Sequence, residues 1–200
     1  MKRLAVLIST GGTGTNLQAI IDAIEKGELK AEIAVVLSDS KEAQGLERAK
    51  KHSILFEIVN KTTDLTALLK KKYHADYVCS SGWKLIIPDS FIESFANKIL
   101  NVHPGLIPDS LNGVVKNPDG TKALWNKGKF TDYAIQNFLD SGSTYAGSTV
   151  HLLSKEFDFG PVLGRVFLKI EPGDTVESLY SRLKQKEHQL YVEALKKLCN

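Results

Sequence analysis

The first half of the chain alternates short apolar runs with segments whose apolar residues recur at helical spacing. Residues 4–8 form an unbroken apolar run, and after the glycines that follow, Leu17, Ile20, Ile21 and Ile24 recur at helical spacing. Unbroken apolar runs are typical of strands that are buried on both faces, as in parallel sheets. The alternation therefore predicts a doubly wound, mostly parallel α/β sheet with helices on both faces.

The same alternation continues as far as residue 102. The predicted strands cover residues 4–8, 34–37, 55–59, 77–79 and 99–102, and the later predicted helices cover residues 43–52, 65–73 and 88–95. Ligands of doubly wound sheets bind beyond the carboxyl ends of the strands. The residues that follow each predicted strand are therefore the first candidates for a functional site.

The second half has a different pattern. Residues 110–130 are rich in Asn, Gly, Lys and Asp, which predicts turns and loop. We expect one extended loop over residues 110–140. A connection of that length is usually functional or mobile. Strands are predicted at residues 148–153 and 162–170, with a hairpin turn between them. The C-terminal part of the sheet is therefore expected to be antiparallel.

A long final helix is predicted to begin at Asp174 or Thr175. Glu177 stands three residues after Asp174, which is the spacing of a capping box. The helix carries an apolar stripe at intervals of three and four residues to the end of the chain. The predicted fold thus closes on one long amphipathic helix.

Length and composition limit the class of protein. The chain has 200 residues, of which 42% are hydrophobic and 24% charged, so we expect one globular domain over residues 1–200. Its net charge of +3 is too small to favour nucleic-acid binding. No apolar run approaches the roughly 18 residues of a membrane helix. We expect a cytoplasmic protein that binds neither nucleic acid nor membrane.

A glycine-rich segment separates the first predicted strand from the first predicted helix. Residues 9–16 read Ser-Thr-Gly-Gly-Thr-Gly-Thr-Asn. Glycine allows a ligand to approach the backbone closely, and a helix start presents free N–H groups and a positive dipole end. The segment therefore favours phosphate binding, although a tight turn without a ligand has the same pattern.

The kind of phosphate is not decided by these glycines. Gly12 and Gly14, with Asp39 after the second predicted strand, partly match a dinucleotide-binding fingerprint. The third glycine of that fingerprint is missing, since Leu17 stands in its place. The Gly-Lys-Ser/Thr sequence of P-loop proteins is also missing from this segment.

Asn101 and His103 stand two residues apart at the end of the fifth predicted strand. Alternate residues of a strand face the same side, and Pro104 favours an extended backbone at His103. An amide can stabilise a tetrahedral oxyanion, and a histidine can move a proton near neutral pH. The pair therefore suits acyl-group chemistry, and a strand-end turn with a half-buried histidine is the alternative.

Asp158 supplies a carboxylate in the predicted hairpin turn Phe-Asp-Phe-Gly-Pro over residues 157–161. An aspartate before a turn glycine often serves the turn alone. His151, in the preceding strand, is expected to be structural. Neither segment has the spacing of metal ligands, so no metal site is predicted.

Glu187 interrupts the apolar stripe of the final predicted helix. It stands four residues after Leu183 and three before Leu190, and both leucines belong to the stripe. A buried carboxylate needs a cation or several donors, so a substrate amine or an internal lysine is its expected partner. Lys184, on the neighbouring face, is placed to help hold an anion.

Taken together, these residues resemble the folate-dependent glycinamide ribonucleotide formyltransferase family. The resemblance runs almost from end to end and keeps the order of the family's segments. It covers residues 7–9 with 12–19, 45–49, 81–84, 99–104, 147–151, 157–161, 173–175 and 187–188. It implies a single formyltransferase domain, with a phosphate- and substrate-binding half over 1–100 and a catalytic and folate-binding half over 101–200.

The resemblance implies formyl transfer from 10-formyltetrahydrofolate, as cosubstrate, to the primary amine of glycinamide ribonucleotide in purine biosynthesis. The implied catalytic residues are Asn101, His103 and Asp158. The implied substrate-binding residues are Gly12, Thr13, Gly14, Thr15, Asn16, Lys184 and Glu187. The implied folate pocket is lined, largely through backbone atoms, by Trp83, Lys84, Leu85, Ile86, Ile87, Leu153 and Glu156.

The chain departs from the family's pattern in three places. The family usually has Met-Arg-Ile-Leu where residues 84–87 read Lys-Leu-Ile-Ile here. Residues 10–11 are additional in the phosphate loop. The connection over residues 110–140 is longer than in the family, which makes it a candidate lid, partner surface or insertion at the mouth of the site.

Three alternatives stay open at this point, and the last of them is a binding module without catalytic activity. The first is another 10-formyltetrahydrofolate-dependent formyltransferase or hydrolase of the same fold. The second is a nucleotide-binding oxidoreductase that uses Gly12, Gly14 and Asp39, although it leaves Asn101 and His103 without a role. Small-molecule substrates are expected in each case, for a monomer or a homodimer.

Overall fold

A computed structural model describes residues 1–199. The strands are β1 (Lys2–Ile8), β2 (Ala31–Ser38), β3 (Phe56–Ile58), β4 (Tyr77–Ser80), β5 (Ile99–His103), β6 (Tyr145–Leu152) and β7 (Val162–Lys169). The helices are α1 (Thr15–Glu25), α2 (Gly45–Lys51), α3 (Leu65–Ala67), α4 (Asp89–Ser94), α5 (Thr131–Asp140) and α6 (Val176–Cys199), and a π-helical turn, Leu68–Lys72, continues α3. Each predicted strand is present, with bounds that differ by at most three residues.

The chain divides into two compact units. The first contains Met1–Asn101 and the end of α6 from Val192 onward, and the second contains Val102–Tyr191. The prediction that residues 1–200 act as a single formyltransferase domain, with halves that meet near residue 100, stays a prediction.

The first unit is built on a parallel sheet. Its strand order is β3-β2-β1-β4-β5, and each neighbouring pair is parallel. The chain adds β2 and β3 on one side of β1 and then β4 and β5 on the other side. This change of direction is the doubly wound arrangement. Residues 4–7 of β1 are fully buried, as the unbroken apolar run predicted. The point at which the order reverses lies between β1 and β4.

The second unit contains an antiparallel pair and most of the long final helix. Strands β6 and β7 pair antiparallel from Tyr145↔Lys169 to His151↔Val162, so the predicted hairpin is confirmed. The unit's apolar core includes Leu179 and Leu183 of α6. The predicted fold class, a mostly parallel α/β sheet with a C-terminal antiparallel portion and a long final helix, is confirmed.

The prediction of one extended loop over residues 110–140 is wrong in its last third. Residues 131–140 form helix α5, on which Ala134, Ile135 and Phe138 are fully buried. Their spacing of one and three residues marks one helical face. The preceding polar, glycine-containing stretch extends to residue 130 and masked this short signal. Residues 110–130 contain no helix, and their one ladder contact is an antiparallel bridge from Lys116 to Lys122.

The predicted capping box between Asp174 and Glu177 is also wrong. The backbone N–H of Ser178 donates to Thr175 Oγ1 at 3.2 Å, and that of Thr175 donates to Ser178 Oγ at 2.9 Å. Asp174 instead accepts from the backbone N–H of Glu171 at 2.8 Å. A serine hydroxyl therefore occupies the role that a glutamate has in a standard capping box.

Removing the main buried side chain of α5 is expected to destabilise the protein. Phe138 is fully buried in the apolar core of the second unit. The Phe138→Ala variant should lose about 3–5 kcal/mol of unfolding free energy, because truncation of a buried phenylalanine leaves a cavity. Urea denaturation measures the loss. Tyr133→Ala, on the exposed face of the same helix, is the control, and equal losses in both variants would contradict the packing of α5.

None of the helices within residues 1–199 combines the length and the apolar character that crossing a membrane requires.

Candidate active site

The glycine-rich segment of the first unit connects β1 to α1. Gly14 adopts a left-handed backbone conformation with φ of 67°, and a Cβ atom there would lie 2.6 Å from the Cα of Gly45. Only glycine fits such a position. Arg48 holds the segment from the side, because its Nε donates to the carbonyl of Thr13 at 3.0 Å. Gly14 is the N-cap residue of α1 and makes no side-chain cap bond, and the first N–H groups of a helix can donate to an anion.

A second set of contacts joins this segment to the end of β4. Ser9 donates through Oγ to Asp39 Oδ2 at 2.8 Å, and Lys84 donates its backbone N–H to Ser9 Oγ at 3.0 Å. A Cβ atom on Gly11 would lie 2.9 Å from Lys84 Nζ. The lysine ammonium therefore lies directly over the glycine segment. Asp39, which follows β2, is therefore a hydrogen-bond acceptor for Ser9.

Several buried polar atoms cluster where β1 and β4 end. Within residues 1–199, Asn16 Oδ1, Ser81 Oγ and Trp83 Nε1 have no hydrogen-bond partner. Buried polar atoms are almost always satisfied in proteins. Their concentration at the reversal of the strand order, where doubly wound sheets bind ligands, marks this edge as the candidate phosphate site of the first unit. The predicted Gly12 to Asn16 segment lies in it.

The residues predicted to line a folate pocket are distributed over both units. Trp83 to Ile87 follow β4 in the first unit, and Ile86 is 89% exposed. In the second unit, Leu153 is half-buried directly after β6. Glu156 is exposed and paired with Lys127 at 2.8 Å. The folate-binding role of these residues stays a prediction.

His103 ends β5 and is almost completely buried, with 2% of its surface exposed. Its Nε2 lies 2.7 Å from the carbonyl oxygen of Trp125, and its Nδ1 lies 3.6 Å from Asp158 Oδ1. Burial lowers the pKa of His103 below 6.5, while the Asp158 charge and the Trp125 carbonyl act in the opposite direction. Asn101 stands two residues earlier on β5 and is half-buried, so it shares a face of that strand with His103.

Two hydrogen bonds hold Asp158 in place. Its backbone is left-handed, with φ of 47°, a conformation that aspartate and asparagine tolerate better than most residues. Its carboxylate Oδ2 accepts from the backbone N–H of Gly128 at 2.7 Å. Its carbonyl accepts from the indole N–H of Trp125 at 3.0 Å. The structure brings Asp158 beside His103, with 3.6 Å between Oδ1 and Nδ1, and the catalytic roles of both residues stay predictions.

His151 of β6 is also buried, and burial together with the His103 charge lowers its pKa to about 3. It is therefore neutral at physiological pH. Within residues 1–199, no group of three or more potential metal ligands occurs.

Glu187 of α6 is buried, with 3% of its surface exposed. Its carboxylate accepts a hydrogen bond from the hydroxyl of Ser148 on β6. Burial raises the pKa of Glu187, and the Ser148 hydrogen bond and the Lys184 charge oppose that rise. Lys184 itself packs its Nζ over the Tyr180 ring at 4.5 Å. Ser148 is therefore a hydrogen-bond partner of Glu187 within the fold, and contact between Glu187 and a substrate amine stays a prediction.

The Glu187→Gln variant should become more stable relative to the wild type as pH rises. The folded protein binds the Glu187 proton more tightly than the unfolded chain, whose pKa is near 4.5. Stability of the wild type therefore falls as pH rises from about 4.5 through the raised folded pKa. Glutamine carries no charge and still accepts from Ser148. Denaturation of both proteins from pH 4 to 8 measures the difference, and a gap that stays constant with pH would contradict a buried, ionising Glu187.

The sequence did not single out three residues of this site. Trp125 and Gly128 lie in the stretch predicted as loop, and Ser148 lies in the second unit's first strand. The signal for Trp125 was present, because a large aromatic residue in a polar, glycine-containing loop needs a partner for its indole N–H. No local signal marked the carbonyl of Trp125 or the N–H of Gly128, since every residue carries such groups.

Comparison with known proteins shows the family of this chain. The family model described as formyl transferase matches residues 2–195. A Dictyostelium discoideum protein named phosphoribosylglycinamide formyltransferase is 34% identical over 98% of this chain and 97% of its own length. The Haemophilus influenzae protein of the same name is 32% identical, over 98% of this chain and 86% of its own length.

A crystal structure of phosphoribosylglycinamide formyltransferase from Anaplasma phagocytophilum superimposes with a TM-score of 0.82 at 30% identity. The superposition covers 98% of this chain and 86% of the Anaplasma phagocytophilum chain. The chain spans 18% of the trifunctional purine biosynthetic protein adenosine-3 of Bos taurus and 65% of the chloroplastic enzyme of Arabidopsis thaliana. The expected resemblance is confirmed along nearly the whole sequence, and the chain belongs to the formyl transferase family.

Proposed function

We propose that this protein is a phosphoribosylglycinamide formyltransferase of purine biosynthesis. It transfers the formyl group of 10-formyltetrahydrofolate to the primary amine of glycinamide ribonucleotide. The observation that carries the proposal is the pairing of buried His103 with half-buried Asp158, with 3.6 Å between Nδ1 and Oδ1, in a member of the formyl transferase family. A buried imidazole beside a carboxylate is suited to moving a proton near neutral pH.

The reaction forms one C–N bond and breaks another. As the amine nitrogen bonds to the formyl carbon, the formyl oxygen gains negative charge. Asn101 donates its amide N–H to that oxygen, and protonated His103 adds a positive charge beside it. When the bond between the formyl carbon and the folate nitrogen breaks, the oxygen's charge returns to the carbonyl.

Asp158 orients His103 and assists the movement of the proton. The attacking amine loses one proton, and the departing folate nitrogen gains one, so the net reaction releases no proton. Gly128 fixes Oδ2 of Asp158 through its backbone N–H, which leaves Oδ1 on the side of His103 Nδ1. The carboxylate is therefore held in one orientation for that transfer.

Substrate binding is assigned to two sets of residues. The phosphate of glycinamide ribonucleotide binds to the segment from Gly12 to Asn16 at the start of α1, where backbone N–H groups and the helix dipole favour an anion. Glu187 engages the glycinamide end of the substrate, and Lys184 supports a negative charge nearby. The folate cosubstrate contacts the backbone of residues 83–87 together with Leu153 and Glu156.

Lys84 is expected to strengthen phosphate binding, because its ammonium lies over Gly11 of the glycine segment. The Lys84→Met variant should raise KM for glycinamide ribonucleotide about tenfold, the factor of one charge-assisted hydrogen bond, with kcat nearly unchanged. Steady-state kinetics at low and high salt measure this effect, which salt should weaken. Lys61→Met, an exposed lysine of the same unit, is the control, and an unchanged KM in Lys84→Met would contradict the assignment.

A transfer assay separates the proposed function from the alternatives. The protein is incubated with 10-formyltetrahydrofolate, with and without glycinamide ribonucleotide, and both formylated product and free formate are measured. Formylated product that depends on glycinamide ribonucleotide supports the proposal. Formate release without an acceptor would indicate a hydrolase, and thermal stabilisation by a nicotinamide dinucleotide alone would indicate an oxidoreductase.

A further inference from the structure

Residues 125–128 contact both members of the His103–Asp158 pair. The carbonyl of Trp125 lies 2.7 Å from Nε2 of His103, and the indole N–H of Trp125 donates to the carbonyl of Asp158 at 3.0 Å. Gly128 donates its N–H to the Asp158 carboxylate at 2.7 Å. This segment lies between β5 and α5, and of its residues only Gly128 has a role in the reaction proposed above.

The first of these contacts determines where the histidine proton resides. A carbonyl oxygen can only accept a hydrogen bond, so Nε2 of His103 must carry a hydrogen. In the neutral imidazole the other nitrogen, Nδ1, then has no hydrogen and is the basic one. Nδ1 is the nitrogen that faces Asp158, at 3.6 Å from Oδ1. The site therefore exchanges its proton at Nδ1.

The Trp125 carbonyl is fixed in this position by buried neighbours. Asn126, which follows it, has 6% of its surface exposed and donates from Nδ2 to the carbonyls of Pro104 at 3.0 Å and Ala134 at 3.1 Å. Asn137 of α5 donates to Asn126 Oδ1 at 2.7 Å. The segment is thus tied both to the residue after His103 and to α5.

Gly105 provides the space that this carbonyl needs. A Cβ atom on Gly105 would overlap the Trp125 carbonyl oxygen and would lie 2.9 Å from His103 Nε2. Any other residue at position 105 would therefore push the Trp125 carbonyl away from the imidazole. The close approach of two backbone segments at the histidine explains why glycine follows Pro104.

We infer that Trp125 is a positioning residue of the active site. Its backbone carbonyl holds His103 as the tautomer with hydrogen on Nε2, and its indole holds the turn that carries Asp158. The titratable groups that face His103 are Asp158, on the turn before β7, and the neutral His151, on β6. The effect of Trp125 on the reaction rate rests on the proposed formyl transfer, whereas the tautomer of His103 does not.

The tautomer is measured on the substrate-free protein with ¹⁵N-labelled histidine. At a pH above the titration of His103, we expect Nε2 to show the nitrogen shift of a protonated site and Nδ1 that of an unprotonated site. The signal is assigned by its loss in His103→Gln. Hydrogen on Nδ1 would overturn the inference, whatever substrate the enzyme uses.

The Gly105→Ala variant tests the carbonyl directly. The new methyl group displaces the Trp125 carbonyl, so the folded variant should show a mixture of the two tautomers of His103. A folded Gly105→Ala protein that keeps pure Nε2–H would overturn the inference, because the tautomer would then not depend on Trp125.

The Trp125→Phe variant tests the indole contact. Phenylalanine retains packing against Phe159, whose ring centroid lies 5.9 Å from that of Trp125, but it cannot donate to Asp158. We expect kcat to fall about 2- to 10-fold, the factor of one hydrogen bond. The limb of the pH–rate profile that requires protonated His103 should move to lower pH, because a displaced Asp158 supports the imidazolium less.

A matched aromatic change separates positioning from stability. Tyr133→Phe alters an exposed ring of α5 and should leave both kcat and the pH–rate profile unchanged. If Trp125→Phe lowered only thermal stability and kept the wild-type pH–rate profile, the positioning role would be wrong, while formyl transfer itself would stand.

Discussion

The Asn101→Ala variant is expected to lose about 10²–10³ in kcat while KM for both substrates stays near the wild-type value. Removal of a single oxyanion donor typically has an effect of this size, because the donor acts on charge that exists only in the transition state. Asn101 stands on β5 two residues before His103, so strand geometry turns both side chains to one face. Steady-state kinetics of formyl transfer to glycinamide ribonucleotide measure the loss.

The matched control for Asn101 is Asn112→Ala. Asn112 is an exposed asparagine of the second unit's long loop, and its truncation should leave kcat unchanged. A wild-type kcat in Asn101→Ala would remove the oxyanion role from this residue. A large rise in KM with unchanged kcat would instead assign it to substrate binding.

The Asp158→Asn variant is expected to lower kcat by about 10²–10⁴, the usual contribution of one general acid–base group. Asparagine tolerates the left-handed backbone of position 158, where φ is 47°, and its amide oxygen can still accept from Gly128. The turn should therefore persist, so that the measured loss reports the missing charge. Thermal denaturation of the variant checks that the fold is retained.

The same variant should also change the pH dependence of the rate. The Asp158 charge raises the pKa of His103 against the lowering that burial causes. Without that charge the pKa of His103 falls further, so the rate limb that requires protonated His103 moves to lower pH. Asp140→Asn, an exposed carboxylate of α5, is the control. An Asp158→Asn enzyme with the wild-type profile would contradict the coupling of the two groups.

The sheet could be predicted from the sequence because its strands are local, buried apolar runs. Residues 4–8 and 99–102 were marked by hydrophobicity alone, and the structure extends these strands by one or two residues. Strand β3 differs in burial: Phe56 and Ile58 are partly exposed, because β3 lies at the end of the strand order in the first unit. Position in the sheet, which no local pattern contains, decides that exposure.

Helix α5 and the start of α6 show why local patterns failed elsewhere. Only three buried residues mark α5, and they follow a polar stretch whose composition favours loop. At α6 the expected acidic partner, Glu177, was correct in spacing, but Ser178 forms the reciprocal bonds with Thr175. Such choices depend on side-chain orientation, which a spacing rule does not include.

The sequence predicted the side chains of the candidate site. The structure adds backbone groups that contact those side chains. Asp158 and His103 were chosen for their chemistry, and folding brings the end of β5 next to the turn between β6 and β7. Two partners of that pair are the carbonyl of Trp125 and the N–H of Gly128. Backbone groups of this kind leave no trace in a sequence, so no motif could have indicated them.

The sequence by itself therefore determined the α/β class, the glycine segment before α1 and the polar residues at the strand ends. These features follow from local hydrophobicity, backbone freedom and side-chain chemistry, which depend on residue type alone. Only the tertiary structure decided which nitrogen of His103 faces Asp158 and that Glu187 meets a hydroxyl. The protonation behaviour of a buried group depends on the neighbours that folding brings within a few ångströms, and those neighbours are distant along the chain.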